Sequence, residues 1–214
     1  MVKFLKLTDA AALQKTAKYT FYRPSERVMA KLKKGNLVKL VFEITGLESN
    51  DLLAMLPSAE RMWVIITERN GDKFKGTLDN NPYKIQDIKA GDLVEFETKH
   101  IIQSDIEEME SDIVEKYSVF CIVSNKILRD NERVGLLYRS EEIKLDNGRI
   151  DSGWCFMSGN ESDAYTNNPE NFTFTTIGKI LNLNDAFIQF LDEPEGSEYC
   201  WDDVLKKYLK VDNL

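Results

Sequence analysis

The side chains that most often carry chemistry in proteins are few in this sequence and lie far apart. Its 214 residues include one histidine, His100, and three cysteines, Cys121, Cys155 and Cys200. His100 has no serine, cysteine or metal ligand at a motif spacing, and Cys155 lies between two aromatic residues of a strand-like segment, a position typical of a packed thiol. No glycine-rich phosphate-binding motif is present. The sequence therefore predicts no catalytic, cofactor-binding or metal-binding residues.

Carboxylates are concentrated in the second half of the chain. Residues 1–100 carry 17 Lys and Arg against 13 Asp and Glu, whereas residues 101–214 carry 11 against 23. An acidic surface repels phosphate, which disfavours nucleic acid as a partner, but it accelerates the encounter with a basic protein. The charge pattern therefore favours a basic protein partner, with simple solubility as the alternative explanation.

Aromatic residues accompany these carboxylates in two segments of the second half, the loop at 158–171 and the stretch at 193–203. Aromatic anchors with charged neighbours are typical of protein interfaces. We expect a partner-binding surface formed by Trp154, Glu161, Asp163, Tyr165, Glu198, Tyr199, Trp201 and Asp202. In the alternative interpretation Trp154 is a core residue, and the sequence does not decide which face of its strand is buried.

Two helices are predicted near the start of the chain. Thr8 and Asp9 supply capping side chains for a short helix over about residues 9–18. Ser25 caps a second, amphipathic helix, which Gly35 ends.

Strands follow these helices. Residues alternate in character over Leu37–Ile44, and Asn70-Gly71 favours a type I′ turn inside a hairpin spanning Met62–Leu78. With a further strand at Asp92–Thr98, the pattern predicts an antiparallel sheet of at least four strands, covered on one face by the two helices.

An acidic segment separates this sheet from the rest of the chain. Residues 104–117 contain no Gly or Pro and begin with Ser104, so they predict a connecting helix. The charge balance changes here, which divides the chain into domains at 1–103 and 118–214. Both are predicted to be small α+β domains, each with a mainly antiparallel sheet covered by short helices.

The second domain has its own strand pattern. The segments YSVFCIVS and RVGLLYRS predict two neighbouring strands, and GWCFMSG predicts a third. A polar loop or brief helical turn follows at 160–171, and FTFTT predicts another strand before an apolar helical stretch. The last segment, DDVLKKYLK, has an amphipathic pattern that predicts a helix.

The chain is predicted to be cytoplasmic. It has no signal-peptide pattern and no run of eighteen apolar residues, which disfavours export and a membrane location. Three widely spaced cysteines, none in a CxxC pattern, fit a reducing compartment.

The second half resembles a bacterial family assigned to immunity proteins of polymorphic-toxin systems, whose hallmark is a DSGWxFxSGxE segment. Here the matching residues are Asp151, Ser152, Gly153, Trp154, Phe156, Ser158, Gly159 and Glu161. The similarity extends over roughly residues 118–203, and Asn160 stands where an acidic residue is commoner. The first half, through MWVIITERNGDKFKGTLDNNPYKI and AGDLVEFETKHI, is similar to a separate bacterial domain of unknown function over about residues 17–102.

The resemblance implies an immunity role and leaves the mechanism open. Together with the acidic second half, it leads us to expect a non-enzymatic protein that occludes or distorts a toxin's active site, with a basic toxin domain as partner. Two alternatives from other classes stay open. One is a small hydrolase or modifying enzyme, which requires a convergent pocket containing His100 or Cys155. The other is a structural or regulatory module that pairs with other chains through an open sheet edge. The oligomeric state is not predicted.

Overall fold

A computed structural model of the chain describes residues 2–45, 59–145 and 147–211. The chain divides into two compact units. The first contains the residues up to Thr16 together with Phe21–Ser111, and the second contains Ala17–Thr20 and the residues from Asp112 onward. Both units are of the predicted α+β class, with short helices and largely antiparallel sheets.

Within its described residues, the first unit is a six-stranded antiparallel sheet with two α-helices and a 3-10 turn at Thr98–His100. Its strands follow the order β1-β2-β3-β4-β5, and β6 also pairs with β2. The elements are β1 (Lys3–Leu7), α1 (Ala10–Thr16), α2 (Glu26–Lys31), β2 (Leu37–Thr45), β3 (Ala59–Asn70), β4 (Lys73–Leu78), β5 (Leu93–Glu97) and β6 (Ile101–Ser104). The strands at both ends of the unit, β1 and β6, were not predicted.

The first core forms because alternate residues of β2 and β3 point to the same face. Leu40, Phe42, Val64 and Ile66 are all fully buried there. Helix α2 covers this face with Met29, and the predicted cap is present because the Ser25 side chain accepts a hydrogen bond from the Val28 N–H.

The turn between β3 and β4 differs from the predicted type I′. Asn70 pairs with Lys73, so the loop residues are Gly71 and Asp72. Type I′ needs positive φ at both central positions, but only Gly71, at +60°, has it. A single glycine at the first central position is the signature of type II′, so the hairpin was predicted correctly and its turn type was wrong.

The predicted connecting helix at 104–117 is wrong over most of its length. Ser104 ends strand β6, and only α3 (Ile113–Lys116) is helical. The Glu108 carboxylate accepts hydrogen bonds from the backbone N–H and hydroxyl of Ser25, at 2.8 and 3.1 Å. These contacts favour an irregular path, and the boundary between the two units falls within this segment.

The second unit is a seven-stranded sheet in the order β11-β7-β10-β8-β12-β13, with β9 paired to the end of β10. Its remaining elements are β7 (Phe120–Ser124), α4 (Asn125–Arg129), β8 (Leu136–Arg139), β9 (Ile143–Lys144), β10 (Ile150–Met157), α5 (Asp163–Thr166), β11 (Phe172–Thr176), α6 (Ile177–Leu183), β12 (Glu198–Asp202) and β13 (Lys207–Lys210).

Two predictions for this unit are wrong. Strands β7 and β8 are not neighbours, because β10 lies between them and pairs with β7 in parallel. The segment 202–210 is not a helix but the turn and return strand of the β12–β13 hairpin. Asp202 starts the turn, since its Oδ1 atom accepts the N–H groups of Val204 and Leu205 at 2.8 and 2.7 Å.

The second core lies on one face of this sheet, under helix α6. Its large buried side chains include Trp154, Phe156 and Phe187. Ala17–Thr20 joins this unit although it precedes it by almost a hundred residues: the Tyr19 ring packs edge-on against Tyr117, with centroids 5.7 Å apart.

Candidate functional site

The side chains of the hallmark segment in β10 stabilise the fold of the second unit. Ser152 is buried and donates a 2.7 Å hydrogen bond to the Phe120 carbonyl. Gly153 has φ of +75°, and a Cβ atom there would lie 2.2 Å from the Ser140 carbonyl oxygen. Trp154 is only 1% exposed, and its Nε1 donates to the Leu191 carbonyl at 3.2 Å. Of the two interpretations of Trp154, the core residue is therefore the one found, and its side chain is not available to a partner.

Glu161 closes the end of the same segment. Its carboxylate accepts hydrogen bonds from the N–H and hydroxyl of Ser158, at 2.8 and 2.9 Å, and from the Gly159 N–H at 2.9 Å. Burial raises the pKa of the Glu161 carboxyl, but hydrogen bonds from Ser124 and Ser158 outweigh it and hold the pKa below its ordinary value. The charged Glu161 carboxylate therefore stabilises the turn at Ser158 and Gly159.

The opposite face of the sheet carries an apolar row, which we call the open face: Phe174, Ile122, Cys155 and Tyr138, from β11 across β7 and β10 to β8. Paired residues of neighbouring strands project to the same side, so these side chains lie next to one another. Phe174, Ile122 and Tyr138 are 43%, 40% and 36% exposed. The predicted residue Glu198 continues the row on β12, opposite Tyr138.

A depression of ≈ 580 Å³ lies at the β11 end of the open face. Sheet residues Ile122, Phe172 and Phe174 line it together with Thr166, Asn167 and Pro169 of the loop at 158–171. The loop expected from the sequence to form a binding edge therefore forms one wall of this depression, which is apolar on the side of the sheet and largely polar on the side of the loop.

Tyr165 fixes that wall. Its hydroxyl accepts a hydrogen bond from Ser124 and donates one to the Asn171 carbonyl, at 3.3 and 3.1 Å. The ring packs edge-on against Phe172, with centroids 5.9 Å apart. Tyr165 is half-buried and holds the loop against the sheet.

The loop that forms this wall carries two carboxylates, those of Asp163 and Glu170, which we call the acidic rim. Asp163 and Glu170 are exposed, and within the described ranges neither carboxylate has a hydrogen bond or ion pair.

The charge asymmetry is smaller when the two structural units are compared than when the two halves of the sequence are compared. The first unit carries 16 Lys and Arg against 17 Asp and Glu, and the second carries 12 against 19. The second unit remains the acidic one, at −7.

The second predicted segment contributes differently. Tyr199 is buried, 5% exposed, and stacks on Phe190 with centroids 4.1 Å apart. Trp201 is half-buried; its Nε1 donates to Asp203 Oδ1 at 3.0 Å and the Arg133 guanidinium lies 4.3 Å from its ring. A groove of ≈ 620 Å³ joins this segment to the hallmark loop, lined by Ser158, Gly159, Asn160, Cys200, Trp201 and Asp203 among others.

The two side chains on which an enzymatic alternative depends lie in different units. His100 belongs to the first, and its Nδ1 accepts the Glu97 N–H at 2.9 Å; burial lowers the pKa of its imidazole. Cys155 belongs to the second, where burial raises the pKa of its thiol, the opposite of an activated nucleophile. Among the described residues no cluster of His, Cys, Asp and Glu could hold a metal ion.

Comparison with known families identifies both halves of the chain. The model described as "Uncharacterized protein conserved in bacteria (DUF2314)" matches residues 6–127. The chain belongs to the DUF2314 family. A second model, "Immunity protein Imm33 domain", matches residues 121–212, which confirms both resemblances read from the sequence. The Imm33 match lies within the second unit, and we refer to this part of the chain as the Imm33 domain. Neither a curated protein nor a solved structure matches the chain.

The apolar row was not predicted from the sequence. Ile122 and Phe174 belong to strands that were predicted, and alternation along FTFTT separates Phe172 and Phe174 from the inward-facing Thr175. The alternation alone does not show that the two phenylalanines face outward and that Thr175 is buried, 6% exposed.

Proposed function

We propose that this DUF2314 member is an immunity protein that neutralises a bacterial toxin by binding it through the open face of its Imm33 domain. The observation that carries the proposal is the apolar row of Phe174, Ile122 and Tyr138, exposed beside a walled depression in a domain whose family is named for immunity. Phe174 and Ile122 are direct neighbours, while the buried Cys155 separates Ile122 from Tyr138. Adjoining exposed apolar side chains mark interaction surfaces.

The negative charge of the Imm33 domain favours a basic partner. The carboxylates of Asp163 and Glu170 lie on the loop that walls the depression and have no partner among the described residues, and the domain as a whole is at −7. A surface with an apolar centre and an acidic rim fits a toxin domain that has an apolar patch bordered by Lys and Arg. The acidic rim increases the association rate, and burial of the row supplies the affinity.

Binding, not chemistry, is the proposed activity. Cys155 has a raised thiol pKa, and the hallmark residues are engaged in hydrogen bonds and packing. We place the protein in the bacterial cytoplasm, as part of a polymorphic-toxin system, which fits its three free cysteines. None of the helices in the described part of the chain has the length and apolar character needed to span a bilayer.

The proposal is tested by co-expressing the full chain in bacteria with the toxin domain encoded beside its gene. Growth should be restored only when the chain is present, and the two purified proteins should form a stable complex in a titration. If the well-expressed chain neither restores growth nor binds the domain, the proposed function is contradicted.

A further inference from the structure

Strand β11 is the edge of the second sheet nearest to the depression. It pairs with β7 over five residues, Phe172–Thr176, with no shift of register. No strand of the described ranges pairs with its other side. A free edge offers backbone N–H and C=O groups to any extended segment that can reach it.

The outward-pointing groups on this edge can be assigned. The Ile177 N–H donates to the Val119 carbonyl at 3.0 Å, which continues the ladder between β11 and β7. Because antiparallel pairing alternates, Thr175 and Thr173 also point toward β7, and the backbone groups of Phe174 and Thr176 point away from the sheet. The Thr175 carbonyl, which accepts the Cys121 thiol at 3.3 Å, agrees with this assignment.

Three devices that normally protect an edge are absent from β11, although the Phe172 N–H at one end of the strand already donates to the Pro169 carbonyl. Its sequence, FTFTT, has no charge and no proline, and its pairing has no bulge. The opposite edge of the sheet, β13, reads KYLK and ends in a lysine on each side. Protein sheets use such lysines to prevent pairing, so the two edges of one sheet differ in the way expected if only β11 accepts a partner.

We propose that β11 accepts an extended segment of the toxin as an added antiparallel or parallel strand, which lengthens the sheet across the molecular boundary. This inference rests on the proposed function and specifies the contact. Alternate side chains of the added strand lie beside Phe174 on the open face, so they should be apolar. The Phe172 end adjoins the loop that carries Asp163 and Glu170, so a Lys or Arg is expected there.

The same charges disfavour a second copy of this chain as the occupant. Two Imm33 domains brought edge to edge each carry −7, and like charge opposes association. A toxin segment with basic residues gains from the field that a second copy must overcome.

Thr176→Pro tests the proposal in the full chain. The substitution removes one outward N–H, and Thr176 already has φ of −82°, close to the value that proline requires. Its side chain makes no capping hydrogen bond, so Thr176→Ala is the matched control that keeps the N–H. In titrations with the toxin domain from the growth experiment, Thr176→Pro should raise Kd by about tenfold or more. Thr176→Ala should raise it by less than about twofold.

Amide hydrogen exchange provides a readout that does not depend on the variant's folding. In the complex of the unsubstituted chain, the amides of Phe174 and Thr176 should exchange much more slowly than in the free chain. Unchanged exchange at both amides, equal Kd values for the two variants, or a self-associated chain that Thr176→Pro dissociates would each overturn the proposal. A chain that does not bind the toxin domain at all contradicts the proposed function instead, so the two failures are distinguishable.

Discussion

The carboxylate of Glu161 accepts two hydrogen bonds from Ser158, one from its backbone N–H at 2.8 Å and one from its hydroxyl at 2.9 Å. Both residues belong to the hallmark segment, and the interaction closes the turn after β10. Hydrogen bonds to an ionised group are stronger than neutral ones. Glu161 therefore stabilises the loop that walls the depression.

Glu161→Gln should lower the free energy of unfolding by about 1–2 kcal/mol at pH 7, because the neutral amide accepts these bonds more weakly. The pKa of Glu161 is lowered in the folded protein, so its contribution is complete above the ordinary value of 4.5 and is lost as the pH falls through the folded pKa. Urea unfolding from pH 7 to pH 3 should show the difference between the proteins shrinking below about pH 4.5. Glu170→Gln, at a carboxylate with no hydrogen bond or ion pair among the described residues, serves as control and should leave the free energy of unfolding at pH 7 unchanged.

Gly153→Ala should destabilise the protein by more than about 2 kcal/mol, since positive φ and a clash with the backbone act together. Gly148→Ala isolates the first effect, because Gly148 has φ of +78° with nothing within 4 Å of the added Cβ. Its expected cost is about 1 kcal/mol. Thermal unfolding of both variants measures the two costs. Equal melting temperatures would contradict the close contact between Gly153 and the Ser140 carbonyl oxygen.

Trp154→Phe should reduce stability by about 1–3 kcal/mol, because the Leu191 carbonyl loses its buried donor. Affinity for the toxin domain should stay within about twofold, since the side chain is inside the core. Trp201→Phe is the control, as its indole N–H bonds to the exposed Asp203 and its loss should cost less. A stable Trp154→Phe protein with lost affinity would restore Trp154 as a contact residue.

Asp163→Lys should slow association with the toxin domain severalfold and flatten the salt dependence of the association rate, because it reverses a charge on the acidic rim. Stopped-flow mixing at several salt concentrations measures both. Glu95→Lys makes the same charge change on the exposed surface of the first unit and should have little effect. Identical kinetics for the two variants would remove Asp163 from the encounter surface.

The first sheet could be largely predicted from the sequence because its signals are local. Alternation in β2 and a glycine-containing turn after β3 specify neighbouring antiparallel strands, and both were found. Strand β6 was not predicted, because its four residues are followed by an acidic run whose composition favours a helix.

The second sheet was predicted less well because its order depends on distant contacts. Strand β10 inserts between β7 and β8, and its parallel pairing with β7 joins residues about thirty positions apart. At the C-terminus, Val204, Leu205 and Tyr208 have helical spacing, but Tyr208 is buried in the core whereas Val204 is 90% exposed. The Asp202 turn overrides the amphipathic pattern.

The exposure of the residues predicted for the binding surface depends on the same distant contacts. Burial depends on which face of β10 meets α6, and this placed Trp154 and Tyr199 inside. The half-buried Glu198 lies on the open face, Tyr165 packs against Phe172 beside it, and Asp163 is exposed on the loop that walls the depression. Ile122 and Phe174 could be recognised only once the sheet order brought them side by side.

Growth rescue by the full chain carrying both Ile122→Thr and Phe174→Thr tests the central claim most directly. Threonine retains strand propensity, and both side chains are already about two-fifths exposed, so folding should be preserved while about 1–2 kcal/mol of binding free energy is lost. Leu183→Thr, at a 56% exposed leucine of α6, is the matched control. We expect the unsubstituted chain and Leu183→Thr to restore growth against the toxin domain and the double variant to fail at equal expression. Full rescue by a folded double variant would contradict the open face as the neutralising surface.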